Sequence, residues 1–261
     1  AGTAVITHPN GQTLNINQLT DKAIINWKGF SINVNELVKF AQPSSNSVVL
    51  NRVTGVDPSS ILGKLIANGR VFIVNPNGVF FGPNSVVDVA GLLATTLNIN
   101  DNDFRAGKYN FSQDPNKALS YVINKGEIKI ADSGFVFLVA PGVVNEGLII
   151  ANLGKAVMAS GQKLAVDFMG DGLITFAIEG KILERVVGPD GTPLTSAVNN
   201  NGTIRADGGQ VVLTAKASSE IFSSVVNNSG VIEARSLVNR SGVIRLEGSD
   251  PVANTGELGW Q

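Results

Sequence analysis

The feature that most narrows what this chain can fold into is a short phrase, Asn-x-Gly-x-Ile, that returns along its second half. It occurs as Asn124-Lys125-Gly126-Glu127-Ile128, Asn145-Glu146-Gly147-Leu148-Ile149, Asn200-Asn201-Gly202-Thr203-Ile204 and Asn228-Ser229-Gly230-Val231-Ile232. Three of the copies run on into a second apolar segment behind a glycine, Gly134 to Leu138, Gly154 to Met158 and Gly209 to Leu213. Gly126 and Gly147 lie 21 residues apart, and Gly202 and Gly230 lie 28 apart. A period of ~20–30 residues, with short strands and no helix-period segments, is the mark of a parallel β-solenoid. One unit cannot bury its inward side chains alone, so stacking makes the core continuous. The Ile and Val positions then face inward, and Asn124, Asn145 and Asn228 stack coil on coil with their amides able to form ladders.

An older version of the same grammar lies upstream. Gly69 to Gly78 can be laid over Gly134 to Val143, 65 residues later. Between the apolar runs Arg70 to Val74 and Val79 to Phe81 stands Asn75-Pro76-Asn77-Gly78. Pro76 presets φ, Asn77 tolerates unusual backbone angles and Gly78 releases the chain, so the segment reads as a tight corner.

Residues 1–45 do not share the repeat. Short strands punctuated by His8-Pro9-Asn10-Gly11 and Lys28-Gly29 suit an N-terminal β cap that protects the first open edge of the stack. Residues 46–261 read as β-helix coils continuous with that cap. Asp57-Pro58 before Gly63 allows at most one helical turn. Within a longer interval, Leu173 to Ile178 and Ile182 to Val187 read as a hairpin that leaves the stack near 168–198, with Gly188 to Pro193 as its return.

Composition removes several chemistries. The net charge of −1 offers no global attraction for nucleic acid or an anionic membrane, and no apolar run is long enough for a transmembrane helix. Zero cysteine excludes disulfides and thiol chemistry, and His8 is the single histidine, so no His cluster can hold a metal. Asn100-Asp101-Asn102-Asp103 is the best calcium candidate, but it lacks the EF-hand pattern and reads as a solvated loop. No cofactor or metal is expected. No Gly-x-Ser-x-Gly elbow accompanies His8, and no phosphate-binding loop is present. A polysaccharide-degrading β-helix needs converging carboxylates, whereas Asp88, Asp132, Asp167, Asp171 and Asp207 are spread singly. The chain is therefore expected not to be an enzyme, and a glycan-binding solenoid segment of an adhesin is the stronger alternative.

Several stretches in order resemble the N-terminal secretion domain of two-partner-secretion exoproteins, the filamentous-haemagglutinin type of bacterial adhesin. They are Ile25-Asn26-Trp27, Gln42-Pro43-Ser44, Asn51-Arg52-Val53-Thr54-Gly55, Asp57-Pro58-Ser59, Gly69 to Gly82, and Asp103 to Phe111, together with the Asn-x-Gly-x-Ile repeats. The resemblance implies an all-β, right-handed parallel β-helix with an N-terminal cap and extra-helical strands. It also implies export across the periplasm to the surface or medium of a Gram-negative cell. The implied partner is an outer-membrane β-barrel transporter of the TpsB type, met through its periplasmic POTRA modules. The domain is expected to be a monomer that neither binds nucleic acid nor inserts into a membrane. The family motif falls on Asn75, Pro76, Asn77 and Gly78. With Asn51, Arg52 and Trp27 these are the candidate residues for partner recognition or folding. Asn75 and Asn77 are expected to shape the corner, and Trp27 to be buried between cap and first coil.

Overall fold

In the computed structural model, which describes residues 1–168, 174–237, 240–248 and 251–259, parallel strands stack along three faces. The first face runs through Thr13–Gln18, Leu37–Ala41, Lys64–Ala67 and the opening halves of Val86–Thr95 and Glu127–Val139. It continues through Leu148–Ile150, Thr203–Arg205, Val231–Glu233 and Glu257–Gly259. The second face holds Lys22–Trp27, Val48–Val53, Arg70–Val74, the closing halves of the two long strands, Lys155–Ser160, Gln210–Ala215 and Val243–Gly248. The third holds Ser59–Ile61, Val79–Phe81, Tyr121–Asn124, Gly142–Asn145, Ser196–Asn200, Ser224–Asn228 and Val252–Asn254. This is a parallel β-helix. At its N-terminal end Ala4–Asn10 pairs antiparallel with Thr13–Gln18, which itself pairs parallel with Leu37–Ala41.

Both halves of the repeated phrase have a structural reason. The Asn side chains form a continuous ladder, buried up to its last rung: Asn124 donates to Asn145 at 2.8 Å, and Asn145 to Asn200, Asn200 to Asn228 and Asn228 to the exposed Asn254 each at 2.7 Å. Two residues on, the glycines stack so closely that a Cβ on Gly202 would lie 2.2 Å from the Gly147 carbonyl oxygen, and one on Gly230 2.1 Å from that of Gly202. Only glycine permits that approach.

The faces differ in how their strands are buried. On the first, Val87, Val89, Ile128 and Ile130 point into the core while Asp88 and Lys129 point to water, the alternation expected of a sheet with one wet side. On the second, Val71 to Val74 and Phe135 to Val139 are apolar throughout. Val71, Ile73, Val136 and Leu138 enter the central core, whereas Phe72, Val74, Phe135, Phe137 and Val139 enter a second cluster outside the helix. Strands covered on both sides lose their alternation.

The cover is an antiparallel sheet of Asn98–Ile99, Tyr109–Ser112, Lys163–Phe168 and Ile174–Glu179. Its Phe111, Leu164 and Val166 pack onto the second face. Phe72 sits among Tyr109, Phe104, Phe111, Phe135 and Phe168 with centroid separations of 5.4 to 6.4 Å, mostly edge-on or tilted. Such rings contribute about 0.5–1.5 kcal/mol per pair beyond the area they bury.

Three local expectations are corrected. Near Asp57, where the sequence allows at most one helical turn, the chain instead forms the strand Ser59–Ile61, because pairing with Val79–Phe81 outweighs the local Asp-Pro signal. The expected loop at Asn100 to Asp103 begins the helix Asp101–Ala106. Asn100 caps it by accepting from the Asn102 backbone, and Gly107 ends it at φ 75°. The hairpin does not join 173–178 to 182–187. Ile174–Glu179 pairs back onto Lys163–Phe168, and Leu173 lies outside the described residues. Ile182 and Val186 are fully buried in the central core, so that apolar run serves the stack and is not a projecting strand.

Candidate functional site: the corner between the second and third faces

Asn75-Pro76-Asn77-Gly78 joins Arg70–Val74 on the second face to Val79–Phe81 on the third. The Gly78 amide donates to the Asn75 carbonyl at 3.1 Å, closing the turn, and Gly78 has φ +121°. A Cβ there would also lie 2.9 Å from Ser120 Oγ, so glycine is required twice over.

Asn75 is fully buried and uses all of its amide capacity. Its Oδ1 accepts from the Asn77 backbone N–H and from Asn77 Nδ2, both at 3.0 Å. Its Nδ2 donates to the Asp57 carbonyl and to Ser59 Oγ, again at 3.0 Å. Asn77, half-buried, donates from Nδ2 to the Gly55 carbonyl at 3.0 Å. These contacts hold the turn to the preceding corner, while the Asn75 backbone N–H donates to the Thr95 carbonyl of the following coil at 3.0 Å. One coil earlier, the backbone N–H and Oγ1 of Thr54 donate to the Trp27 carbonyl at 2.8 and 3.0 Å. Four successive corners are therefore stitched along one edge.

Asn51 and Trp27 belong to the same edge. Trp27 Nε1 donates to Asn51 Oδ1 at 3.0 Å, Asn51 is fully buried, and the Trp27 ring lies tilted on Phe30 with centroids 5.5 Å apart. Trp27 itself is half-buried. Arg52, next along the strand, faces outward toward the covering sheet. It reaches Asp101 Oδ1 at 2.6 Å, the Ile99 carbonyl at 2.6 Å and Asn98 Oδ1 at 3.1 Å. The partners Asn98 and Asp101 escaped sequence reasoning. An acidic residue just after a helix-capping Asn was the available signal.

Three charged groups elsewhere have structural partners. The Arg70 guanidinium lies 5.0 Å from the Phe168 ring centre and 5.6 Å from that of Phe135, and burial pulls its pKa below the ordinary arginine value. Burial, then the charge of Arg245, lowers Lys155, whose Nζ donates to the Ile174 carbonyl at 2.7 Å. Glu233 is held below the usual glutamate value chiefly by the hydrogen bond from Arg205 at 2.7 Å. Among the described residues no group of three or more His, Cys, Asp or Glu could hold a metal ion, and no helix is long and apolar enough to cross a membrane. The edge thus holds successive coils together through hydrogen bonds between corners.

Comparison with known proteins places this geometry. The model of the TPS secretion domain matches residues 1–259. A heme/hemopexin-binding protein of Haemophilus influenzae is 36% identical over 251 residues, 94% of this chain and 26% of the relative. A second protein of that name from the same species is 32% identical over 97% of this chain and 28% of its own length. The chain thus spans only about a quarter of these relatives. Among solved structures, the HMW1 secretion domain from Haemophilus influenzae superposes with a TM-score of 0.81 at 33% identity, covering 98% of this chain and 63% of that one.

Proposed function

This chain belongs to the TPS secretion-domain family of two-partner-secretion exoproteins, and from that premise we propose that it is recognised by the POTRA modules of its outer-membrane transporter and then templates β-helix folding at the cell surface. The observation that carries this reading is the stitched edge. Asn75 and Asn77 bind the corner before them, and the Asn75 backbone binds the coil after them, so this motif is where coil-on-coil registry is set early in the chain. A rigid edge early in the chain gives later coils a pattern on which to stack.

Recognition precedes that folding. Ala4–Asn10 has a single neighbouring strand, and Val5 and Ile6 are 49% and 41% exposed. Such an edge offers main-chain hydrogen bonds to a partner sheet, with alternate side chains supplying specificity. Long-range parallel pairing folds slowly, which keeps the chain threadable during passage. In this reading Trp27, Asn51, Arg52 and Asn75 to Gly78 act mainly through folding of the edge.

The test is secretion of residues 1–261, supplied with an export signal, in cells with and without the cognate transporter. Partner-dependent appearance in the medium supports the proposal, and retention in the periplasm despite a working transporter refutes it. Asn77→Ala separates the two roles. A variant that is secreted poorly yet binds isolated POTRA modules as the parent does acts through folding, and one that loses binding acts through recognition.

A further inference from the structure

A groove with a volume of about 550 Å³ lies on the outer side of the third face, away from the stitched edge and the covering sheet. Its floor is a row of side chains stacked in register, Phe80, Ile123, Val144 and Asn199, of which Ile123 and Val144 are already buried and Phe80 supplies the open apolar surface. Gly188 to Thr195, a segment inserted between coils, stands over it as a wall. Three strand spacings give the floor a length of about 14 Å along the helix axis.

The polar groups around this floor are half-used in a consistent way. Asn199 Oδ1 accepts from Asn227 at 2.9 Å and Asn201 Oδ1 accepts from Ser229 at 2.6 Å, so each carboxamide is oriented and each NH2 remains available as a donor. Glu146 Oε2 pairs with Lys125 Nζ at 2.9 Å, and Asp190 Oδ1 accepts from the Thr192 backbone and hydroxyl at 3.0 and 2.7 Å. The second oxygen of each carboxylate remains available as an acceptor. Two oriented donors and two acceptors thus surround an apolar strip that ends in the half-exposed ring of Phe80.

We propose that this groove binds a short, uncharged oligosaccharide. Sugar rings combine an apolar face, which suits the half-exposed ring of Phe80 and the Leu194 side chain on the wall, with vicinal hydroxyls that both donate and accept, which suits amide NH2 groups beside carboxylate oxygens. A peptide strand is disfavoured, because the floor strands already pair on both edges and leave no main-chain groups for augmentation. Acidic sugars are disfavoured as well: Glu146 and Asp190 outnumber Lys125 at the rim.

The test follows side-chain and backbone amide signals of isotope-labelled protein during titration with maltotriose, cellotriose and triacetylchitotriose, with trigalacturonate as the charged control. Saturable shifts confined to Asn199, Asn201 and residues 188–195 are expected with at least one neutral trisaccharide. Asn201→Asp, at an exposed position, replaces a donor by a carboxylate and is expected to weaken binding at least tenfold without moving the thermal midpoint. Absence of saturable shifts with all three neutral sugars overturns the proposal. So do shifts located elsewhere, or equal binding of trigalacturonate. Because this readout is independent of secretion, it stands or falls apart from the transport reading.

Discussion

Replacing Asn145 by Ala cuts the amide ladder at its centre. Three side-chain hydrogen bonds disappear, the one received from Asn124 at 2.8 Å, the one given to Asn200 at 2.7 Å and a long one given to the Gly147 carbonyl at 3.4 Å, which keeps the Thr203 backbone donor and adds little. Their consequences are unequal. Asn124 Nδ2 keeps the Gly126 carbonyl at 3.2 Å, so its loss is close to the net value of one buried hydrogen bond, about 1 kcal/mol. Asn200 Oδ1 loses its donor at a position that is fully buried, and a stranded acceptor there costs about 1–3 kcal/mol. The expected destabilisation is therefore about 2–4 kcal/mol. At the end of the ladder, Asn254 is exposed, so truncating it lets water reach the Asn228 Nδ2 it leaves behind, and Asn254→Ala is expected to cost about 1 kcal/mol, the net value of one hydrogen bond. Equilibrium urea unfolding of both variants measures the difference, with an unchanged slope showing that only stability moved. If the two variants fall within about 0.5 kcal/mol of each other, the ladder is not the cooperative element described here.

Gly202→Ala, whose Cβ would lie 2.2 Å from the Gly147 carbonyl oxygen, is expected to lower stability by about 1–3 kcal/mol or more, seen as a drop in thermal midpoint; an unshifted midpoint contradicts the close stacking. Arg52→Met removes the bonds to Asn98, Ile99 and Asp101 and is expected to expose residues 98–112 to protease before the coils are cut; simultaneous cleavage of both would show that Arg52 does not hold the cover. Glu233, held low by Arg205, contributes stability that is fully present above the ordinary glutamate value and is lost as pH falls through its lowered folded value. Glu233→Gln is therefore expected to flatten the acid limb of stability measured against pH, and an unchanged limb would assign acid sensitivity to other groups.

The Asn ladder, the glycine row and the tight corner were legible because each depends on local chemistry repeated at fixed spacing. What stayed hidden depended on partners distant in sequence. Ser59–Ile61 carries a helix-start signal, and only its neighbour Val79–Phe81 makes it a strand. Ile174–Glu179 sits next to an equally apolar run at 182–187, and periodicity cannot tell which of two candidate partners it will choose. The apolar run Val71 to Val74 fits a strand buried on both sides, yet nothing local identified residues 98–112, 163–168 and 174–179 as the second layer. At the candidate edge, the residue types were readable, while the bond from Asn77 to Gly55 needed the stack itself.

The covering sheet gives the domain two mechanical regimes. Its cluster reaches from Ile24 through Phe72, Phe135 and Val157 to Val212, and among the described residues nothing beyond 223 takes part. A force applied at the C-terminal end would first peel away the strands after Ser224 one coil at a time, each resisted by its own ladder bonds and neighbour contacts. On reaching Gln210–Ala215 the load would pass into a brace that crosses the coils beneath it, and these would yield together at a higher force. A chain being drawn outward while its inner end stays anchored would thus tug against its firmest part last.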